Sequence, residues 1–549
     1  MSKLAAAMNA SPAAPAAAAA GPPPAGGPGR LLSTSLVLSV LFLAMQAATL
    51  LTQMVIAARF GASAEFDAYL ASSTLPQFGL QVVVSSLPIV VLPLFVEHSL
   101  ASGEDEAWLV TSGAVNLTVA GLAVIAVLGI LFAGPLLRLT APGLAPHQHA
   151  RAVTLAVYLW PALVLTTLVS LLSAVHQAQG RFAWPGVVPL VGAVVSLAVI
   201  LGLSHTLGVT AVALALLLSA AGQVAILAAL TAPSRRYRFG FHWSHAGVRR
   251  LVMLALPLLV ANVVMRSTPI VDRYLGSRLA EGSIARLEYA WRIPLLLGLL
   301  VSNGIGTVVF TSLSHSAATR DLAGFRATVS TGLRYTMLAL APLVALGIAL
   351  ASPLVTVLLQ RGRFGAADAA TVATLLQIFM LATVGAALGM IVGRCFYALK
   401  AMRLLAIAGV IEALAYAAYA PLFVRWLGVS GIAWATVLYF DFSITWALLL
   451  LRHRTGASGR GVARAALQCS AAALVAGATA WWIARLSLRP LATLALGAGA
   501  GFVVYAGALA LLRSPELRAA WLALTAWWRG RDLARGDTPG VPPGPGAAS

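Results

Sequence analysis

Apolar runs of about 20 residues, separated by short polar joints, recur along the chain from near residue 31 to near residue 512. A run of that length crosses a bilayer as one helix, because only a helix satisfies its own backbone groups in hydrocarbon. The pattern predicts about 14 spans, over 33–58, 66–95, 108–134, 151–175, 186–205, 209–231, 249–272, 284–312, 328–351, 367–397, 403–424, 430–451, 463–484 and 490–512. Residues 1–30, rich in Ala, Pro and Gly, read as a disordered N-terminal tail rather than a signal peptide, since the apolar run that follows is too long and leads into further spans. Residues 513–549 read as an interfacial segment with three tryptophans, Pro515 to Trp528, followed by a Pro/Gly-rich tail.

Internal similarity refines this into an architecture. TQMVIAARFGASAEFDAYLASSTLP, from Thr52, echoes TPIVDRYLGSRLAEGSIARLEYAWRIP, from Thr268. In each, an apolar helix ends in a short turn rich in Gly and Ser or Ala, and a second helix follows with Tyr beside Ala near its start and a proline further in. Pro76 and Pro294 stand 218 positions apart, and the LGV at Leu207 recurs at Leu427, 220 positions on. A constant offset across two landmarks predicts two six-helix halves, 31–231 and 249–452, with helices 13 and 14 (463–512) added. The expected fold is thus an all-α polytopic membrane protein whose halves are related by pseudo-two-fold symmetry around a central cavity.

Composition agrees. The chain has 549 residues, of which 60% are hydrophobic and 9% charged, and a formal net charge of +20. So few charges exclude a soluble domain of this size. The basic residues sit mainly in short loops, roughly twice as many on the side of the termini as on the other, which predicts cytoplasmic termini rather than a nucleic-acid partner. The richest loop holds Arg235, Arg236, Arg238, Arg249 and Arg250; it reads as a topology anchor or as a contact to anionic membrane lipids. Cys395 and Cys469 both fall inside apolar runs, so neither a disulfide framework nor a metal site is expected. No loop is long enough for a catalytic domain, and His147 and His149 read as solvated polar sequence. A transporter without cofactor or catalytic residues is expected rather than an enzyme.

The charges inside the spans carry the chemistry. Each costs at least about 2.5–3.5 kcal/mol at membrane depth unless it meets a cavity or a partner. They concentrate around Val271 to Pro294, where Asp272 and Arg273 close one apolar run and Glu288 and Arg292 open the next. Arg266, Arg334, Arg394, Glu412 and Asp441 lie in other spans. Arg334 is close enough to a helix end to snorkel, and Arg394 and Lys400 lie near a membrane surface. The others either pair as structural ion pairs or line a cavity. In the second case arginines suit a phosphate, because the planar fork donates bidentately and keeps its charge, and carboxylates offer a cation or proton site. Prolines 76, 88, 93, 257 and 294 fall within spans, as befits kinked helices in a moving bundle.

The run D-R-Y-L-G-S-R-L-A-E-G-S-I (272–284) followed by L-E-Y-A-W-R (287–292) resembles the helix 7–helix 8 signature of the MurJ/MviN lipid II flippases of the multidrug/oligosaccharidyl-lipid/polysaccharide exporter superfamily. ARFGASAEFDAYLASSTLP, LLQRGRFGAAD, RCFYAL and PLFVRWLGVSGIAWAT are similar to further family segments in order and spacing, over about residues 31–512. The resemblance implies a flippase of the bacterial cytoplasmic membrane that moves an undecaprenyl-pyrophosphate-linked glycan lipid by alternating access, coupled to membrane potential or to Na+ or H+. It implies Arg292 as a cavity arginine and puts Asp67 where the family has its aspartate. With Arg266 and Glu288 these make the expected substrate-binding set; Glu412, Asp272 and Asp441 are the candidates for cation or proton coupling. The chain departs from the pattern at Gln46, Thr52, Leu80 and Gln81, where basic residues are expected, and at Leu399 to Leu404 (LKAMRL). Those departures leave open another lipid-linked glycan, of exopolysaccharide or O-antigen type, as the cargo. A cation-coupled small-molecule antiporter is a further alternative, and a transport-dead scaffold that retains the fold is another.

Overall fold

The computed structural model describes residues 28–528 except 180, 182, 232–236, 400, 457–459 and 487, and leaves out the side chains of some helical residues. The expected tails over 1–27 and 529–549, and Arg235, Arg236 and Lys400, lie outside the described residues. All regular structure among the described residues is helical. The helices are α1 (Pro28–Phe60), α2 (Ala64–Val84), α3 (Leu87–Ala101), α4 (Glu104–Leu131), α5 (Ala133–Thr140), α6 (Pro146–Ala178), α7 (Ala183–Leu207) and α8 (Thr210–Thr231), then α9 (Ala246–Met265), α10 (Thr268–Ser277), α11 (Ser283–Ala318), α12 (Leu322–Ala349), α13 (Ala351–Leu358), α14 (Ala366–Ala398), α15 (Met402–Leu427) and α16 (Val429–Thr455), and finally α17 (Arg460–Ala484), α18 (Pro490–Leu511) and α19 (Pro515–Trp528).

Among the described residues 12 helices are long and apolar enough to cross a membrane, or 13 if α11, bent by 43° between Ser283–Gly306 and Val309–Ala318, crosses as one. The expected count of 14 differs at the span over 66–95, which divides into α2 and α3. Polar chemistry makes that break. The Ser86 hydroxyl donates to the Val82 carbonyl (2.7 Å), Pro88 has no N–H to continue the ladder, and Asn262 of α9 donates to the Ser86 hydroxyl (3.1 Å). The span ending at 272 likewise breaks, at Arg266 and Ser267 ahead of Pro269, so α9 and α10 meet end to end at a charged joint.

α1–α8 pack among themselves, as do α11–α16; α17 and α18 pack on each other and on α12 and α13. The joints at 61–63, 141–145, 278–282 and 359–365 gather at one end of the bundle, called the distal end here, away from the chain termini.

α19 docks by a charge pair. Arg334 of α12, expected to snorkel, donates to Glu516, which is 4% exposed and also accepts from the Ser514 hydroxyl (2.7 Å). Burial pushes the Glu516 carboxyl up, but the hydrogen bonds from Ser514, its own backbone and Arg334, with the charge of Arg334, hold it below the usual glutamate range. A depressed carboxyl stabilises the docked state above the pKa of a free glutamate, and that stability is lost as pH falls through the depressed value. Glu516→Gln is expected to weaken docking by about 1–3 kcal/mol, between the exposed and fully buried cases. Faster hydrogen exchange of 515–522 than in wild type at pH 7, with the difference vanishing at low pH, is the expected result.

Candidate functional site

The distal end joins α1–α8 to the second set of helices through backbone atoms. A β-carbon on Gly61 would stand 2.6 Å from the Arg363 carbonyl oxygen. One on Gly143 would overlap the carbonyl of Ser277, one on Gly282 that of Ala62, and one on Gly362 that of Ala58. Gly282 is doubly constrained, since its φ of +80° also lies where L side chains are strained. Hydrogen bonds run along the same seam: Arg363 N–H to Ala58 carbonyl (2.9 Å), Gly143 N–H to Ser277 hydroxyl (3.2 Å), and Tyr289 hydroxyl to Gly61 carbonyl (3.2 Å). Among the described residues, the hydrogen bonds from α1–α8 to α10–α16 all lie at this end.

Asp67 belongs to this seam. It is 3% exposed, and its carboxylate accepts from the Gly282 N–H (2.6 Å) and the Ala285 N–H (2.8 Å). Those are orphan donors at the start of α11, so Asp67 caps a helix of the other set, where the helix dipole also favours an anion. Phe66 stacks on Tyr289, and Phe364 meets that ring edge-on, each at 5.4 Å. Of the expected substrate-binding set, Asp67 is thus spent on a backbone cap.

Glu288 accepts from Arg273 of α10, forming an ion pair between two half-buried side chains. Arg292 lies one turn further along the same face of α11, about 14 Å from the helix start at 1.5 Å per residue. Its Nε is buried and, among the described residues, has no hydrogen-bond partner. Tyr69 and Glu288 are near enough to feel its charge.

Arg266 sits at the α9–α10 joint with its side chain exposed, and among the described residues it makes no ion pair or side-chain hydrogen bond. It continues an apolar stripe. Val252, Ala255, Leu256, Leu259 and Val263 of α9 line a cavity of about 570 Å3 against α2, α4 and α6. The next position at that spacing is Arg266, three residues after Val263.

The coupling candidates lie across the second set. Asp272 accepts from the Tyr416 hydroxyl of α15, which also lies 3.5 Å from the Thr436 hydroxyl of α16. Glu412 is 7% exposed and bonds with Ser443. Among the described residues Arg266 and Glu412 form no salt bridge with each other. Asp441 is half-buried, its carboxylate against Gly385 of α14. Gln46, Thr52 and Leu80 are half-buried and Gln81 is exposed.

Residue-type reasoning passed over Tyr416 and Tyr289. Their signal was present: a tyrosine inside an apolar helix needs a partner for its hydroxyl.

The family described as lipid II flippase MurJ matches this chain over residues 56–497. The chain belongs to the MurJ lipid II flippase family. A lipid II flippase MurJ of Burkholderia cenocepacia is 26% identical over 362 residues, 63% of this chain and 69% of that protein. A probable lipid II flippase MurJ of Vibrio cholerae is 26% identical over 524 residues, 89% of this chain and 98% of the relative. Among solved structures, a MurJ in an inward closed conformation superposes with a TM-score of 0.75 at 20% identity, covering 87% of this chain and 98% of that one. An inward-facing multidrug-resistance MATE transporter gives 0.64 at 16% identity, covering 75% and 95%. These likenesses show that the fold is that of MurJ and of the wider superfamily. For a MurJ member, membership makes this a multi-pass membrane transporter with a lipid-linked substrate.

Proposed function

We propose that this MurJ family member flips a polyprenyl-pyrophosphate-linked saccharide across the cytoplasmic membrane by alternating access, with both termini cytoplasmic and lipid II as the cargo. The observation that carries the reading is the pair of cations at membrane depth. Among the described residues, Arg292 keeps a buried Nε without partner, and Arg266 is exposed and unpaired. A buried donor without an acceptor costs about 1–3 kcal/mol, and an anionic oxygen beside it removes that cost. The apolar cavity, whose α9 lining ends at Val263 one turn before Arg266, suits the hydrocarbon part of the same amphiphile.

The seam at the distal end, taken as the outer face, supports a state closed to the outside. Flipping then requires the contacts of Gly61, Gly143, Gly282, Gly362 and Asp67 to part. Coupling is assigned to Asp272, Glu412 and Asp441, through protonation or Na+ binding. Gln46, Thr52, Leu80 and Gln81 favour a second reading, because fewer cations suit a cargo other than lipid II, such as another lipid-linked glycan.

The test is to deplete a cell's own lipid II flippase, express this chain and measure lipid II at the outer face. Restored exposure is expected. No exposure from protein shown to be in the membrane sinks the lipid II reading and leaves the other glycan.

A further inference from the structure

A second cavity, of about 360 Å3, lies between α12, α16 and α17, at the end of the bundle opposite the distal seam. Its walls are apolar: Val329 and Leu333 of α12, Leu448 and Leu451 of α16, Val462 of α17. Its lining also includes two arginines, Arg326 of α12 and Arg452 of α16. On α12 the lining follows one helical stripe, with Arg326 three and seven residues before Val329 and Leu333. Charge and hydrocarbon therefore share one face.

Among the described residues neither Arg326 nor Arg452 forms an ion pair. The Arg326 Nε donates to the Thr455 carbonyl, a neutral acceptor at the end of α16, and its Nη2 lies beside Gly456. Asp321, the nearest acid in the chain, accepts from the Gly324 N–H (2.9 Å) and caps α12. From Asp441 to Glu516 the sequence has no acidic residue, while Arg452, Arg454, Arg460 and Arg464 fall within that stretch.

We propose that this groove binds an anionic phospholipid, with the headgroup phosphate on Arg326 and Arg452 and an acyl chain against Val329, Leu333, Leu448 and Leu451. Charge complementarity and position select this occupant: an apolar slot ending in two uncompensated guanidinium groups, where helices of a membrane-spanning bundle reach the headgroup layer. The site is separate from Arg266 and Arg292 and does not depend on what cargo the protein carries.

The experiment uses the full chain purified in detergent and incubated with phosphatidylglycerol or phosphatidylcholine of matched chains, with retained lipid counted by native mass spectrometry. Wild type is expected to retain phosphatidylglycerol at least about tenfold better. Arg452→Gln, which leaves the Arg326–Thr455 contact intact, is expected to lose most of that preference, and the double variant with Arg326→Gln all of it. Leu448→Trp, which fills the slot and keeps both charges, is expected to lose the lipid as well. Equal retention of the two lipids by wild type would overturn the proposal, as would undiminished retention by Arg452→Gln and Leu448→Trp. Displacement of the lipid by inorganic phosphate alone would also overturn it, since the site would then hold a free anion.

Discussion

Arg292→Ala is expected to reduce lipid II exposure in the depleted host by about 100-fold or more, with the protein present at wild-type amount. A hydrogen bond to a charged group contributes about 1.5–3 kcal/mol, and a guanidinium on a pyrophosphate makes two. A loss of about 3–6 kcal/mol is 10^2 or more in affinity, at about 1.4 kcal/mol per tenfold. Arg292→Lys keeps the charge without the planar fork and should recover only part of the activity. Because Nε of Arg292 is already without a partner, the alanine variant removes no hydrogen bond through that nitrogen and should melt near the wild-type temperature. Full exposure from the alanine variant would remove Arg292 from the substrate site.

Asp67→Ala is expected to open the distal seam. It strands the Gly282 and Ala285 N–H groups, at about 1–3 kcal/mol each if they stay buried. The closed state then loses about 2–6 kcal/mol relative to one in which water reaches those groups, a shift of about 30-fold at the lower bound. A cysteine at Ala285, which is fully buried, reports it. Both native cysteines are buried, so an impermeant maleimide added from the outer face should label the new one. Labelling should be slow with Asp67 present and at least about tenfold faster without it. Asp67→Asn offers one carbonyl oxygen to two donors and should fall between. Equal labelling rates with and without the Asp67→Ala substitution would show that the cap does not hold the seam shut.

Much of this was legible in the sequence, and what was missed has a common cause. Apolar periodicity finds spans, because bilayer thickness dictates their length. It does not find breaks inside them, since Ser85 and Ser86 interrupt the backbone without interrupting hydropathy, and a single charge such as Arg266 does not end an apolar run. The offset near 220 located the corresponding joints of the two repeats, and Asp67 and Glu288 are 221 positions apart within it. Their roles still diverged. One caps a helix across the seam, and the other answers Arg273, which stands where the first repeat has Thr52. Asp67 read as a cavity residue because its partners are peptide N–H groups, which leave no trace in a list of side chains. Arg334 read as snorkelling to the interface because its acid lies 182 residues on, outside the spans.

The glycine seam has a consequence for the origin of the fold. Gly61 and Gly282 are 221 positions apart, and Gly143 and Gly362 are 219 apart. Moving Gly143 and its neighbour Ser277 each by 219, in opposite directions, gives Gly362 and Ala58, the pair observed to touch. Gly282 meets Ala62, one residue from its own counterpart. Each surface therefore meets a copy of itself, which is the isologous geometry of a two-fold homodimer. One polypeptide here carries an interface that two identical subunits could have made before they were joined.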